Sequence, residues 1–142
     1  MIVIASECER KLANKYYPGE DVLVTGVGAT NVIKALSGID KAVKLKNIGY
    51  AGSNNIPIGT VVKVGSCEIY RENTDYVTDK YELSGDCKCY TSNDFVTHTS
   101  IQDDCVFDME LAIICALGFD VESIKVVSDN LSYKEYEEKA ND

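Results

Sequence analysis

Short runs of β-branched residues alternate with segments of helical periodicity along the chain. "IVIA" (2–5) reads as a buried strand, and "ECERKLANKYY" (7–17) as a helix that stops at Pro18-Gly19. "DVLVTG" (21–26) is a second strand, with "ATNVIKALSGI" behind it as a helix ended by Gly38. "KLKNIGYAG" carries a third strand into a glycine-containing loop. "IPIGTVVKVGSCEIY" reads as extended, antiparallel structure, with Gly59 and Gly65 marking turns or bulges. The charged, weakly patterned segment 71–88 is expected to be a variable loop. Regular signal returns with "CYTSNDFV", then "MELAIICALG" as a buried helix and "SIKVVSD" as a buried strand. The tail "YKEYEEKAND" is helical but has no broad apolar face.

This alternation predicts an α/β fold: βαβ units and a mixed, mostly parallel sheet with helices on both faces, in three layers. Ligands of such sheets sit beyond the carboxyl ends of the strands. Here those ends carry Ser6, Glu7 and Glu9, then Thr25, Gly26 and Gly28, then Tyr50, Ala51 and Gly52, and finally Ser128, Asp129 and Asn130. Small, polar and acidic residues therefore gather at one end, which is the candidate site.

At 142 residues the chain is read as a single domain, 1–142. A net charge of −9, with no basic cluster, argues against a nucleic-acid partner, because phosphates would be repelled. No apolar run approaches the roughly 20 residues of a membrane helix. "MIVIAS" is broken at once by "ECERK", so no export signal is read there. The six cysteines are then expected as reduced thiols in a cytoplasmic protein. Cys87 and Cys89 form a C-x-C pair, but no second pair stands at ligand spacing and His98 is the sole histidine, so no metal is expected. His98 itself has no motif around it.

Four segments, "VLVTGVGATNVIKAL", "KNIGYAG", "VFDMELAIICAL" and "IKVVSDN", resemble in order the signature segments of the nucleoside phosphorylase/nucleosidase superfamily, and most of all the methylthioadenosine/S-adenosylhomocysteine nucleosidases. The specific part is the D-M-E helix entry followed, after a β-branched strand, by S-D. The resemblance implies a truncated nucleoside phosphorylase-like fold that cleaves the N-ribosyl bond of a purine nucleoside or thionucleoside, without a metal or organic cofactor, as a homodimer.

It also implies roles. Asp129 matches the acid that protonates the purine, since the leaving base must be neutralised. The plainer reading is that Ser128 or Asp129 caps the next helix. Glu110 matches the carboxylate that accepts both ribose hydroxyls, although an acid in a first helical turn is also favoured by the dipole. Met109 would pack on the sugar, and Asp108 is expected to cap the helix. Glu9 matches the activator of water, yet Ser6-x-x-Glu9 is equally a capping box. Thr25 and Gly26 match the turn near the nucleophile. Phe95 and Val96 match the wall against the base, and Ala51 and Gly52 the loop that leaves it room.

Phosphorolysis needs an anion site. Asn47 stands where a phosphorylase of this superfamily would show arginine, and the first loop carries two glutamates with only Arg10 nearby. Water is therefore the expected nucleophile. A phosphorylase, a purine-binding relative without turnover, and an interaction domain whose acids only cap helices are the alternatives.

Overall fold

The computed structural model describes residues 1–72 and 79–142. Among them are eight strands and four α-helices in one mixed α/β arrangement around a central sheet. In chain order these are β1 (Ile2–Ile4), a 3-10 turn (Glu7–Glu9), α1 (Arg10–Tyr16), β2 (Val22–Val24), α2 (Ala29–Leu36), β3 (Leu45–Ser53), β4 (Val61–Ile69), β5 (Lys80–Glu82), β6 (Cys87–Thr91), β7 (Cys105–Asp108), α3 (Leu111–Ala116), β8 (Val121–Asp129) and α4 (Tyr133–Ala140).

β3 is the hub. It runs parallel to β1 and β8, then pairs antiparallel with β7 through Gly52 and Ser53. β8 also pairs antiparallel with β4, β4 runs parallel to β6, and β6 to β7, so the pairing returns to β3. A strand with neighbours on all sides must be apolar or internally bonded, and every residue of β3 except Lys46 is buried. Alternation along the strands sorts side chains into two clusters. Val3, Leu45, Ala51 and Val127 join the apolar faces of α2 and α3, while Ile2, Ile4, Ile48 and Val126 join those of α1 and α4. In α2, Val32 and Leu36 stand one turn apart and are wholly buried, each worth roughly 1.5–3 kcal/mol of apolar transfer.

Four local expectations change. "CVFD" at 105–108 is a strand, whereas the sequence from Val106 onward reads as part of the buried helix; its four residues are all buried, and periodicity does not separate so short a run from a helical turn. Segment 71–88, expected as a loop, holds β5 and the start of β6; residues 73–78 lie outside the described residues. β3 continues through Gly52 instead of ending in a glycine loop. The charged tail helix does dock: Tyr136 and Ala140 of α4 pack against the cluster containing Val126.

Candidate active site

A cavity of about 290 Å³ opens at the carboxyl ends of β1, β3 and β8, near the lower end of the roughly 300–1,000 Å³ usual for small-molecule sites. Besides Asp108 at the end of β7, three carboxylates from distant segments reach it: Glu9 from the 3-10 turn, Glu110 from the entry of α3, and Asp129 from the end of β8. They are 7%, 8% and 1% exposed, so each acid is held largely out of water.

Asp129 owes its aim to a bulge. Ala51 pairs with Val127, but Gly52 pairs with Asp129, which leaves Ser128 as the extra residue. The Ser128 hydroxyl donates to Asp129 Oδ2 at 2.6 Å, and the Leu131 N–H donates to Oδ1 at 2.9 Å. Gly52 makes room, since a Cβ there would lie 2.7 Å from Oδ1. Burial raises the Asp129 pKa against these donors. The cap on α4 is Ser132, which accepts from the Glu135 N–H at 3.3 Å, so Asp129 is not that helix's cap residue.

Glu110 stands at the cap position of α3 with φ −135° and ψ −36°, neither helical nor extended, and makes no side-chain cap bond to it. Its Oε2 instead accepts from the Gly28 N–H at 2.8 Å, across the cavity mouth. Burial, reinforced by the Asp108 charge, pushes its pKa up to about 7, while Lys125 and the Gly28 N–H pull the other way. Gly28 holds a φ of +90° to offer that N–H, a conformation that favours glycine.

The capping box at Ser6 forms in part only. The Ser6 hydroxyl accepts from the Cys8 N–H at 3.4 Å, but the Glu9 carboxylate reaches onward, taking the Ala5 N–H and the Tyr50 N–H, each at 2.8 Å. Burial raises its pKa, opposed by Lys125 and these N–H groups. Gly49 accommodates the carboxylate, because a Cβ would lie 2.4 Å from Oε2.

Asp108 caps α3 as expected, accepting from the Leu111 N–H at 2.7 Å and the Glu110 N–H at 3.3 Å. It also forms a buried ion pair with Lys125, Nζ to Oδ2 3.2 Å, that the sequence does not announce. Breaking such a pair by removing one partner typically costs about 3–5 kcal/mol.

Met109, Ala51, Gly52, Phe95 and Ser128 line the cavity. Thr25 and Gly26 do not: the Thr25 hydroxyl donates to the Gly26 and Ile4 carbonyls, and the next residue, Val27, reaches the rim instead. Val96 lines a small adjoining recess shared with Phe95 and Asp129. Tyr133 and Tyr136 complete an aromatic wall with Phe95, at ring distances of 5.3 and 5.9 Å. Their spacing of three on one helix puts them on one face, a signal the charged tail hides.

No Lys or Arg is among the described residues that line this cavity. Arg10 is paired with Glu7 at 2.8 Å on the surface, and Asn47 is buried, accepting from the Ser123 hydroxyl at 2.7 Å. His98 is exposed, away from the cavity. All six cysteines are unpaired, and no described helix is long and apolar enough to cross a membrane.

Comparison of the fold with solved structures places this arrangement. The 5′-methylthioadenosine/S-adenosylhomocysteine nucleosidase (MTAN) of Helicobacter pylori superposes with a TM-score of 0.77, at 13% identity, over 98% of this chain and 89% of that one. The MTAN of Chlamydia trachomatis bound to MTA gives 0.77 at 17% identity, over 99% and 88%. The S-adenosylhomocysteine nucleosidase of Streptococcus pyogenes, in complex with 5-methylthiotubericidin, gives 0.76 at 15%, over 96% and 87%. The chain has the nucleoside phosphorylase/nucleosidase superfamily fold. No family model and no curated protein matches it by sequence. This nucleosidase-like fold is thus carried at an identity where packing and strand order persist while most side chains have changed.

Proposed function

We propose that this chain is a purine N-ribosyl hydrolase acting on methylthioadenosine- or S-adenosylhomocysteine-type nucleosides. The observation that carries the reading is the convergence of Glu9, Glu110 and Asp129 on one cavity whose described lining holds no cation. Ligands of the neighbours support the substrate class, since a nucleosidase of this fold was crystallised with the nucleoside MTA and with the free base adenine.

In this reading Asp129, its proton affinity raised by burial, gives a proton to the departing purine. Glu110 in its ionised form accepts the two ribose hydroxyls and offsets the positive charge that develops on the ring. Glu9, held by backbone N–H groups at the cavity edge, takes the proton of the attacking water. Met109 packs on the sugar, and Phe95 with Tyr133 and Tyr136 stacks against the apolar ligand faces. Phosphate as the nucleophile would meet four carboxylates, Glu9, Asp108, Glu110 and Asp129, and no lining cation, which disfavours the phosphorylase alternative. Alternation of the two core clusters supports the three-layer arrangement. Six unpaired thiols suit a cytoplasmic location, and a homodimer is the expected assembly.

The deciding experiment incubates the protein with methylthioadenosine, adenosine and inosine, with and without phosphate, and follows free base. Equal release without phosphate is expected. Release only with phosphate would make it a phosphorylase; no release with a thermal shift by purines would make it a binding relative. Asp129→Asn should slow release by roughly 10²–10⁴-fold.

A further inference from the structure

Lys125 is the one charged residue in the middle of β8, between Ile124 and Val126, and it is 1% exposed. A buried cation is expensive, and apolar residues of similar volume commonly replace such pairs at no loss of stability. A position that served only packing would have no need of it.

Its surroundings show what it holds. Nζ meets Asp108 Oδ2, the same oxygen that receives the Leu111 and Glu110 N–H groups. Asp108 Oδ1 accepts from the Thr91 hydroxyl at 2.5 Å and lies 3.4 Å from the Cys89 thiol. Thr91 Oγ1 in turn accepts from the Ala112 N–H at 2.9 Å. Three successive N–H groups at the entry of α3 are thus held by Asp108 and Thr91, and Lys125 supplies the countercharge that lets Asp108 stay ionised while fully buried. Four residues farther along β8 stands Asp129.

We propose that Lys125 is a positioning residue: through Asp108 it locks the first turn of α3, and so fixes Glu110 relative to the strand that carries Asp129. The role in turnover rests on the nucleosidase reading; the structural coupling does not. The charged groups that face Glu110 are Asp108 from β7, Lys125 from β8 and Glu9 from the 3-10 turn, with the Gly28 N–H beside it. Lys125 is the sole cation of that set. Without it, Asp108 and Glu9 would hold the Glu110 proton more tightly.

The test uses Lys125→Met, Lys125→Arg and the double variant Lys125→Met/Asp108→Leu, which leaves no orphaned charge and guards against a simple folding failure. Amide exchange at Glu110 and Leu111 and NMR titration of the Glu110 carboxyl are read in each, with kcat and KM for methylthioadenosine across pH. Lys125→Met should speed exchange at both amides at least tenfold and raise the Glu110 titration midpoint. It should also raise KM at least tenfold and move the acidic limb of kcat/KM to higher pH; Lys125→Arg should restore all of these. The double variant should fold, with fast exchange and a raised KM. Parent-like exchange, titration and KM in the double variant or in a folded Lys125→Met would overturn the proposal. A parent enzyme that releases no base would overturn the nucleosidase reading alone, because exchange and titration report the coupling without turnover.

Discussion

Glu110 offers a test in which stability and function move in opposite directions. Its pKa stands at about 7 against an ordinary 4.5, chiefly because it is buried. At about 1.4 kcal/mol for each tenfold change in proton affinity, that rise amounts to about 3 kcal/mol. The folded protein binds this proton more tightly than the unfolded chain does. The associated stability is therefore present below pH 4.5 and is lost as pH rises through 7. Glu110→Gln keeps the shape and an acceptor for the Gly28 N–H but removes the titration. Urea denaturation at pH 5 and pH 8 measures the difference. Near pH 5 the two should agree within about 1 kcal/mol, whereas at pH 8 the variant should be more stable by about 2–3 kcal/mol, or roughly 5–10 °C in Tm. The same variant should lose nucleoside hydrolysis, because a neutral amide offers a poorer double acceptor to two hydroxyls. A variant that is less stable than the parent at pH 8 would show that the ionised carboxylate belongs to the fold, and the reasoning would fail.

Three other outcomes follow from the geometry. Gly52→Ala places a methyl 2.7 Å from Asp129 Oδ1 and should cut kcat at least about 100-fold with the fold retained by circular dichroism; unchanged kcat would mean that Asp129 tolerates displacement. Phe95→Ala removes ring contacts with Tyr133 and Tyr136 and a face for the base, so KM should rise about 3–10-fold with little change in kcat. Thr25→Val should leave activity within about threefold, since its hydroxyl is bonded to the Gly26 and Ile4 carbonyls, while costing about 1 kcal/mol in thermal denaturation; a hundredfold loss of turnover would return Thr25 to the reaction.

Much of this site is visible in one dimension because each acid follows a recognisable strand or precedes a recognisable helix. Strand ends of a largely parallel sheet point one way, so Glu9, Ala51 and Asp129 meet at one mouth once their strands are identified. Residues whose role depends on a partner far along the chain were less legible. Lys125 looks like the polar step of an alternating strand until Asp108 is found against it. Thr25 looks like a site hydroxyl until its two carbonyl acceptors are seen. Tyr136 is disguised by the charges around it, and the strand at Cys105–Asp108 by its shortness.

What the sequence determines by itself is the order of elements and the placement of acids at their ends, because hydrophobic periodicity and capping chemistry are local. The direction in which those acids point is decided by tertiary structure. The bulge at Ser128 turns Asp129 toward Gly52, the Tyr50 N–H engages Glu9 beyond its capping box, and the Gly28 N–H engages Glu110. Each depends on a backbone group far away in sequence, available only when β3 has settled between β1, β8 and β7.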